Sequence, residues 1–294
     1  MKKTAPQGPF DTKNILVPTD FTAVSETAIN HACYLARLFN KEITLLHVVE
    51  ANLFSSDKKM EDQEAKDLAH LTEVANRINA GEQIKITCLT RRGNIFDTIG
   101  EVAEEINSSL VVMGTHGVRG IQRIIGSRAL RVITNANRPF LIVQEKRIRQ
   151  HGYKHIVLPV DFSRETKQKL AWAVEIGKKF DSTLHLLADH ESDEFAARAL
   201  NNNINYAENY LSERGCKFTV KKVNKGDNFP KETVRYAAAL DADLIMIMTD
   251  PDLDLGDYIA GPDEQKIIGN EAQIPVMAIN EVDHMQLKRA AMFQ

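Results

Sequence analysis

"KNILVPTDFTAVSETAINHACYLARLFNKEITLLHVVE", residues 13–50, decides the fold, because the chain writes it twice. Set above "KHIVLPVDFSRETKQKLAWAVEIGKKFDSTLHLLADHE", residues 154–191, it aligns at an offset of 141 without a gap. Lys13/Lys154, Ile15/Ile156, Pro18/Pro159, Asp20/Asp161, Phe21/Phe162, Phe39/Phe180, Leu45/Leu186 and Leu46/Leu187 coincide. Further along, "GNIF" at 93 matches "GDNF" at 226, "SLVVMGT" at 109 matches "DLIMIMT" at 243, and "RPFLIVQ" at 138 matches "IPVMAIN" at 274. Self-similarity sustained in one order over this length means a duplicated domain, which is stronger evidence than any single motif.

Within each copy, short β-branched runs alternate with longer helical ones, the pattern of a parallel sheet covered by helices. In the first copy this predicts strands near Ile15–Pro18, Ile43–Val48, Ile84–Thr90, Leu110–Met113 and Phe140–Val143. Helices are expected over Ser25–Phe39, Glu61–Ile78, Ile95–Ile106 and Ser127–Asn135. Asn94 and Asp227, each after a glycine, read as helix N-caps. Unbroken apolar runs such as "LVVM" and "LIMIM" suit strands buried on both faces. The expected fold is α/β: two tandem copies of a five-stranded parallel sheet, Rossmann-like and doubly wound, with helices on both faces. The domains are 1–147 and 148–294, with Lys146–Tyr153 as a short polar linker.

The composition is that of an ordinary globular chain of 294 residues, 43% hydrophobic, with a net charge of −3. Residues 1–150 carry 20 Lys+Arg against 17 Asp+Glu, which leaves 17 against 23 for the rest. Neither half is basic enough for a nucleic-acid protein. No apolar run is long enough to span a membrane. The three cysteines, Cys33, Cys88 and Cys216, form no C-x-x-C pair, so a reducing cytoplasm is expected and a metal site is not.

In an open parallel sheet, ligands bind at the carboxyl ends of the strands, where the strand order reverses. Three loops of the first copy meet there: "PTDF", "HVVE" and "GTHGVRGIQRIIGS", residues 114–127. The last is rich in glycine, carries Arg119 and Arg123, and runs into an expected helix, so its freed backbone N–H groups would cradle an anion. Asp20 could accept hydrogen bonds from adenine or ribose, and equally could cap the following helix. His116 could contact a phosphate. His47, at a strand end, reads as a satisfied core residue.

The PTDF strand end, the HVVE strand end and the MGTHG…GS loop, in that order, resemble the universal stress protein family in its tandem two-domain form. The resemblance covers nearly the whole chain. It implies a regulatory protein of the stress response that binds ATP or another adenine nucleotide with Mg. By that resemblance Pro18, Thr19, Asp20 and Val48 would hold the adenosine end, and Met113, Gly114, Gly117, Gly126, Ser127 and Arg128 the ribose and phosphates. ATP-binding members place nine residues between the second glycine of G-x-x-G and the G-[ST] pair. Here Val118 to Ile125 make eight.

The second copy replaces the first two loop glycines by Met248 and Pro251 and adds Asp250, Asp252, Asp254, Asp257, Asp263 and Glu264. Like charge would repel a triphosphate, so no nucleotide is expected there. An EF-hand reading fails on register: counted from Asp250, Gly256 stands seventh and position twelve is Gly261. No catalytic constellation is evident, which points away from an enzyme, slow ATP hydrolysis aside. The second reading is a scaffold acting through protein partners, in which both copies have lost the nucleotide. The resemblance to paired family members implies that Phe140–Val143 and Val276–Ile279 pair as edge strands, making an internal pseudo-dimer, with a homodimer of whole chains left open.

Overall fold

A computed structural model of the chain describes residues 12–50, 57–81, 84–115, 132–133, 138–162, 168–249 and 266–280. The first copy contributes β1 (Asn14–Pro18), α1 (Ala23–Phe39), β2 (Glu42–Val49), α2 (Asp57–Asn79), β3 (Ile86–Arg92), α3 (Ile95–Glu105), β4 (Leu110–Gly114) and β5 (Phe140–Val143). The second contributes β6 (His155–Val160), α4 (Lys169–Phe180), β7 (Thr183–Ala188), α5 (Glu194–Glu213), β8 (Lys217–Lys222), α6 (Phe229–Ala239), β9 (Leu244–Thr249) and β10 (Val276–Asn280). The expected helix at Ser127–Asn135 lies outside the described residues except for Val132 and Ile133, which are helical.

Local chemistry sets the boundaries. Thr22 caps α1 by accepting from the Ser25 amide, so the helix starts two residues before the expected Ser25, and Asn40 ends it in the left-handed region at φ 52°. Asn94 caps α3 as predicted, accepting from the amides of Phe96 and Asp97. Asp227 does not cap its helix. Asn228 does, through the Lys231 amide, while Asp227 accepts from the Asn224 amide. The second G-x-x-F motif therefore starts its helix one residue later than the first.

The strands form one ten-stranded sheet in the order β3-β2-β1-β4-β5-β10-β9-β6-β7-β8. Within each half every described ladder is parallel. The halves meet where β5 and β10 pair antiparallel, Val276 with Ile142, Met277 with Leu141 and Ala278 with Phe140. These are the two edge strands expected to pair, and joining them removes two apolar edges at once. Gln144, 3% exposed, donates across the seam to the carbonyls of Asn270 and Ile268.

Alternation along the strands divides the core into two layers. Ile15 and Val17 of β1, with Ile43 and Leu45 of β2, face α1 and α2. Leu16, Leu46, Val48 and Met113 face the layer of α3. The first layer runs without interruption into the second half through Leu141, Tyr153, Ile156 and Met277. Tyr153, expected in a polar linker, is 1% exposed and belongs to the core.

Candidate functional site

The strand order of the first half, β3-β2-β1-β4-β5, reverses between β1 and β4, which locates the crevice. There the ladder is short. It pairs Ile15 with Leu110 and Leu16 with Val111, whereas β1 and β2 stay paired to Pro18 and Leu46. The carboxyl ends of β1 and β4 therefore part just below Pro18 and Met113. By alternation Pro18, Val48 and Met113 lie on the same face of the sheet, all buried, at the ends of three successive strands in space.

The loop after β1 is closely bonded. The Thr19 amide donates to the Leu46 carbonyl at 2.8 Å, and the Thr19 hydroxyl donates to Ser25 Oγ at 3.0 Å while accepting from the Phe21 amide at 3.2 Å. The Thr19 carbonyl accepts from His47 Nδ1 at 2.8 Å. Thr19 is thus a framework residue of the loop, and the group left at the mouth is the exposed carboxylate of Asp20. Its Oδ1 accepts from the Thr22 amide at 3.0 Å and the Thr22 hydroxyl at 2.6 Å, which steadies the cap of α1 from outside. Partial burial pushes the Asp20 carboxyl up, but the hydrogen bonds from Thr22 and Ser25 outweigh it and hold the group below the ordinary carboxylate range. It stays an acceptor at neutral pH.

Gly114 ends β4. A Cβ there would stand 2.6 Å from the Val24 carbonyl oxygen and 2.8 Å from its carbon, so glycine is required for α1 to approach the strand. That packing reason is separate from any role toward a ligand. Beside it, the Thr115 hydroxyl is buried and has no hydrogen-bond partner among the described residues, an orphan polar group at the mouth of the crevice. His116, Gly117, Gly126, Ser127 and Arg128 lie outside the described residues.

Sequence reasoning took His47 for a satisfied core residue; it is partly buried, outside the core clusters, and its bond to the Thr19 carbonyl holds the loop. Its ring stacks on Phe21 at 4.7 Å, and Nε2 lies 3.6 Å from Asp67 Oδ2. The Phe21 ring also stacks on His70 at 4.2 Å. Asp67 and His70 come from α2, which carries no motif, so no signal in the sequence marked them.

The second half has the same parted ladder, with Ile156 on Leu244 and Val157 on Ile245. Its chemistry differs. Lys169, 3% exposed, donates from Nζ to the Pro159 carbonyl, and burial pushes its pKa down to about 8 against the pull of Asp161. Burial and the neighbouring Asp189 and Asp193 push the Glu191 carboxyl up, with Asp161 adding to the same effect. Carboxylates crowd this end of the sheet.

A model of the universal stress protein family matches residues 11–144 and again 152–280. The chain belongs to the universal stress protein family. A universal stress protein of Methanocaldococcus jannaschii is 35% identical over 146 residues, covering 45% of this chain and 82% of that protein. A second from the same organism is 30% identical over 157 residues, covering 46% of this chain and 96% of that protein. The crystal structure of a universal stress protein from Archaeoglobus fulgidus superposes over 91% of this chain and 98% of its own, with a TM-score of 0.74 at 20% identity. This establishes the shared tandem fold. Other family members have been solved in complex with cAMP or dAMP. Among the described residues no helix is long and apolar enough to cross a membrane, and no group of three or more His, Cys, Asp or Glu could hold a metal ion.

Proposed function

We propose that this chain is a regulatory protein of the stress response that binds an adenine nucleotide, ATP foremost, in its N-terminal half alone. The observation that carries the reading is the parted end of the β1–β4 ladder, where buried Pro18, Val48 and Met113 meet the exposed, ionised Asp20. An adenine ring is flat, largely apolar and carries an amine donor, so an apolar floor beside a fixed acceptor matches it. The orphan Thr115 hydroxyl would partner a ribose or phosphate oxygen. By family resemblance Gly117, Gly126, Ser127 and Arg128 would hold the phosphates and their Mg. The carboxylates Asp161, Asp189, Glu191 and Asp193 repel the same ligand in the second half. No residue is assigned to catalysis. The cytoplasm is the compartment this role implies.

Calorimetric titration of Mg-ATP into the wild type, Asp20→Ala and Gly117→Asp tests the reading. One site per chain, weakened in both variants, is expected. Ligand at about 100 times its dissociation constant would stabilise the fold by roughly 2.7 kcal/mol. The eight-residue spacing between Gly117 and Gly126 favours a second reading, a scaffold without nucleotide. Absence of both heat and a melting shift would leave that one standing.

A further inference from the structure

His47 faces two acceptors. A carbonyl oxygen can only accept, so Nδ1 carries the proton it gives to Thr19 O at 2.8 Å. In the neutral ring Nε2 is then a lone pair, and it faces Asp67 Oδ2 at 3.6 Å. Asp67 is held there by Gln63 Nε2, 2.9 Å from Oδ1. The two side chains are only 18% and 14% exposed.

What the ring holds is strained. Phe21 sits at φ 64°, a left-handed conformation that an aromatic residue keeps only when its surroundings enforce it. The enforcement comes from the stacks on His47 and His70 and from the Thr19 hydroxyl on the Phe21 amide. Phe21 follows Asp20 directly, so its backbone sets where that carboxylate points. The second half lacks the arrangement: Ala188 stands at the position of His47, and Phe162, the counterpart of Phe21, is 52% exposed.

Resting on the nucleotide reading, we propose that His47, braced by Asp67 and stacked on Phe21, is the positioning residue of the adenosine end of the site, its Nδ1–H bond to the Thr19 carbonyl and its stack setting Thr19–Phe21 in the binding conformation. Among the described residues, the titratable groups facing the ring and its stack are Asp67 and His70 from α2 and Asp20 from the loop. Glu64 of α2 is engaged by Thr90 and Arg92, and Thr90 is the residue of β3 in register with His47. Asp67 is therefore the carboxylate that braces the ring.

The test measures Mg-ATP affinity by calorimetry for the wild type, His47→Ala, which has no donor for the Thr19 carbonyl, and His47→Asn, whose side-chain amide can supply one. The melting temperature of each variant is checked for folding. His47→Ala is expected to bind on the order of fivefold more weakly than the wild type, as for a coupling of about 1 kcal/mol. His47→Asn is expected to restore most of that difference. Equal affinities of the wild type and His47→Ala overturn the positioning role and leave the nucleotide reading intact. Failure of the wild type to bind overturns both.

Discussion

His31 Nδ1 lies 2.7 Å from the hydroxyl of Tyr153, 122 residues further along the chain. The other ring nitrogen, Nε2, lies 3.0 Å from the Lys146 carbonyl, which can only accept. The neutral tautomer protonated at Nε2 is thus fixed, and Tyr153 donates to Nδ1. One side chain of α1 ties together the end of the first copy and the start of the second.

This contact predicts acid sensitivity. Burial pushes the His31 imidazole down to about 4, from an ordinary value of 6.5. Between those values the unfolded chain binds the proton and the folded chain does not, so stability falls as pH drops through that window. The full loss is on the order of 3 kcal/mol. Urea denaturation of wild type and His31→Leu at pH values from about 7 to about 4 should give a shallower slope for the variant.

Lys169 predicts the opposite kind of variant, one that stabilises. Its pKa of about 8 lies below the ordinary 10.5, so burial of the charge weighs on the fold at neutral pH and is relieved as pH rises between those values. Lys169→Met should raise the melting temperature at pH 7, by the equivalent of roughly 1–3 kcal/mol. The gain should shrink toward pH 10. A lower melting temperature for the variant would mean that the bond to Pro159 outweighs the desolvation.

Gly114→Ala should destabilise the first half. The new methyl would meet the Val24 backbone at 2.6 Å, and a capped helix cannot yield as a side chain tip can. A loss of about 1–3 kcal/mol in chemical denaturation is expected. An unchanged midpoint would show that α1 shifts freely, and with it the loop that carries Asp20.

The seam offers a polar test. Gln144→Ala strips the carbonyls of Asn270 and Ile268 of a donor in a buried place. The expected cost is about 1–3 kcal/mol. Limited proteolysis between the halves should quicken in the same variant. Equal rates in both proteins would assign the union of the halves to the β5–β10 ladder alone.

Much of this architecture was legible from periodicity. The repeat at an offset of 141 and the strand pattern predicted the parallel halves, the rule for open parallel sheets put the PTDF and HVVE strand ends at the crevice, and the family resemblance implied the edge pairing. Asn94 was legible as a cap because its side chain acts on amides two and three residues away. Asp227 was misread because the choice between it and Asn228 depends on where the chain leaves the turn, which no local preference encodes.

The sequence by itself determined the duplication, the alternation that sorts apolar residues onto two faces, and the strand ends that form the crevice, since these follow from spacing along one chain. Tertiary structure alone decided the role of Gly114, forced by the backbone of α1, and the company of Phe21, set by His47 on one element and His70 on another. It also decided that Tyr153 is core and not linker. The physical reason is common to all three. Hydrogen bonds, stacking and steric exclusion act over a few ångströms in space, between residues whose separation along the chain carries no trace of their meeting.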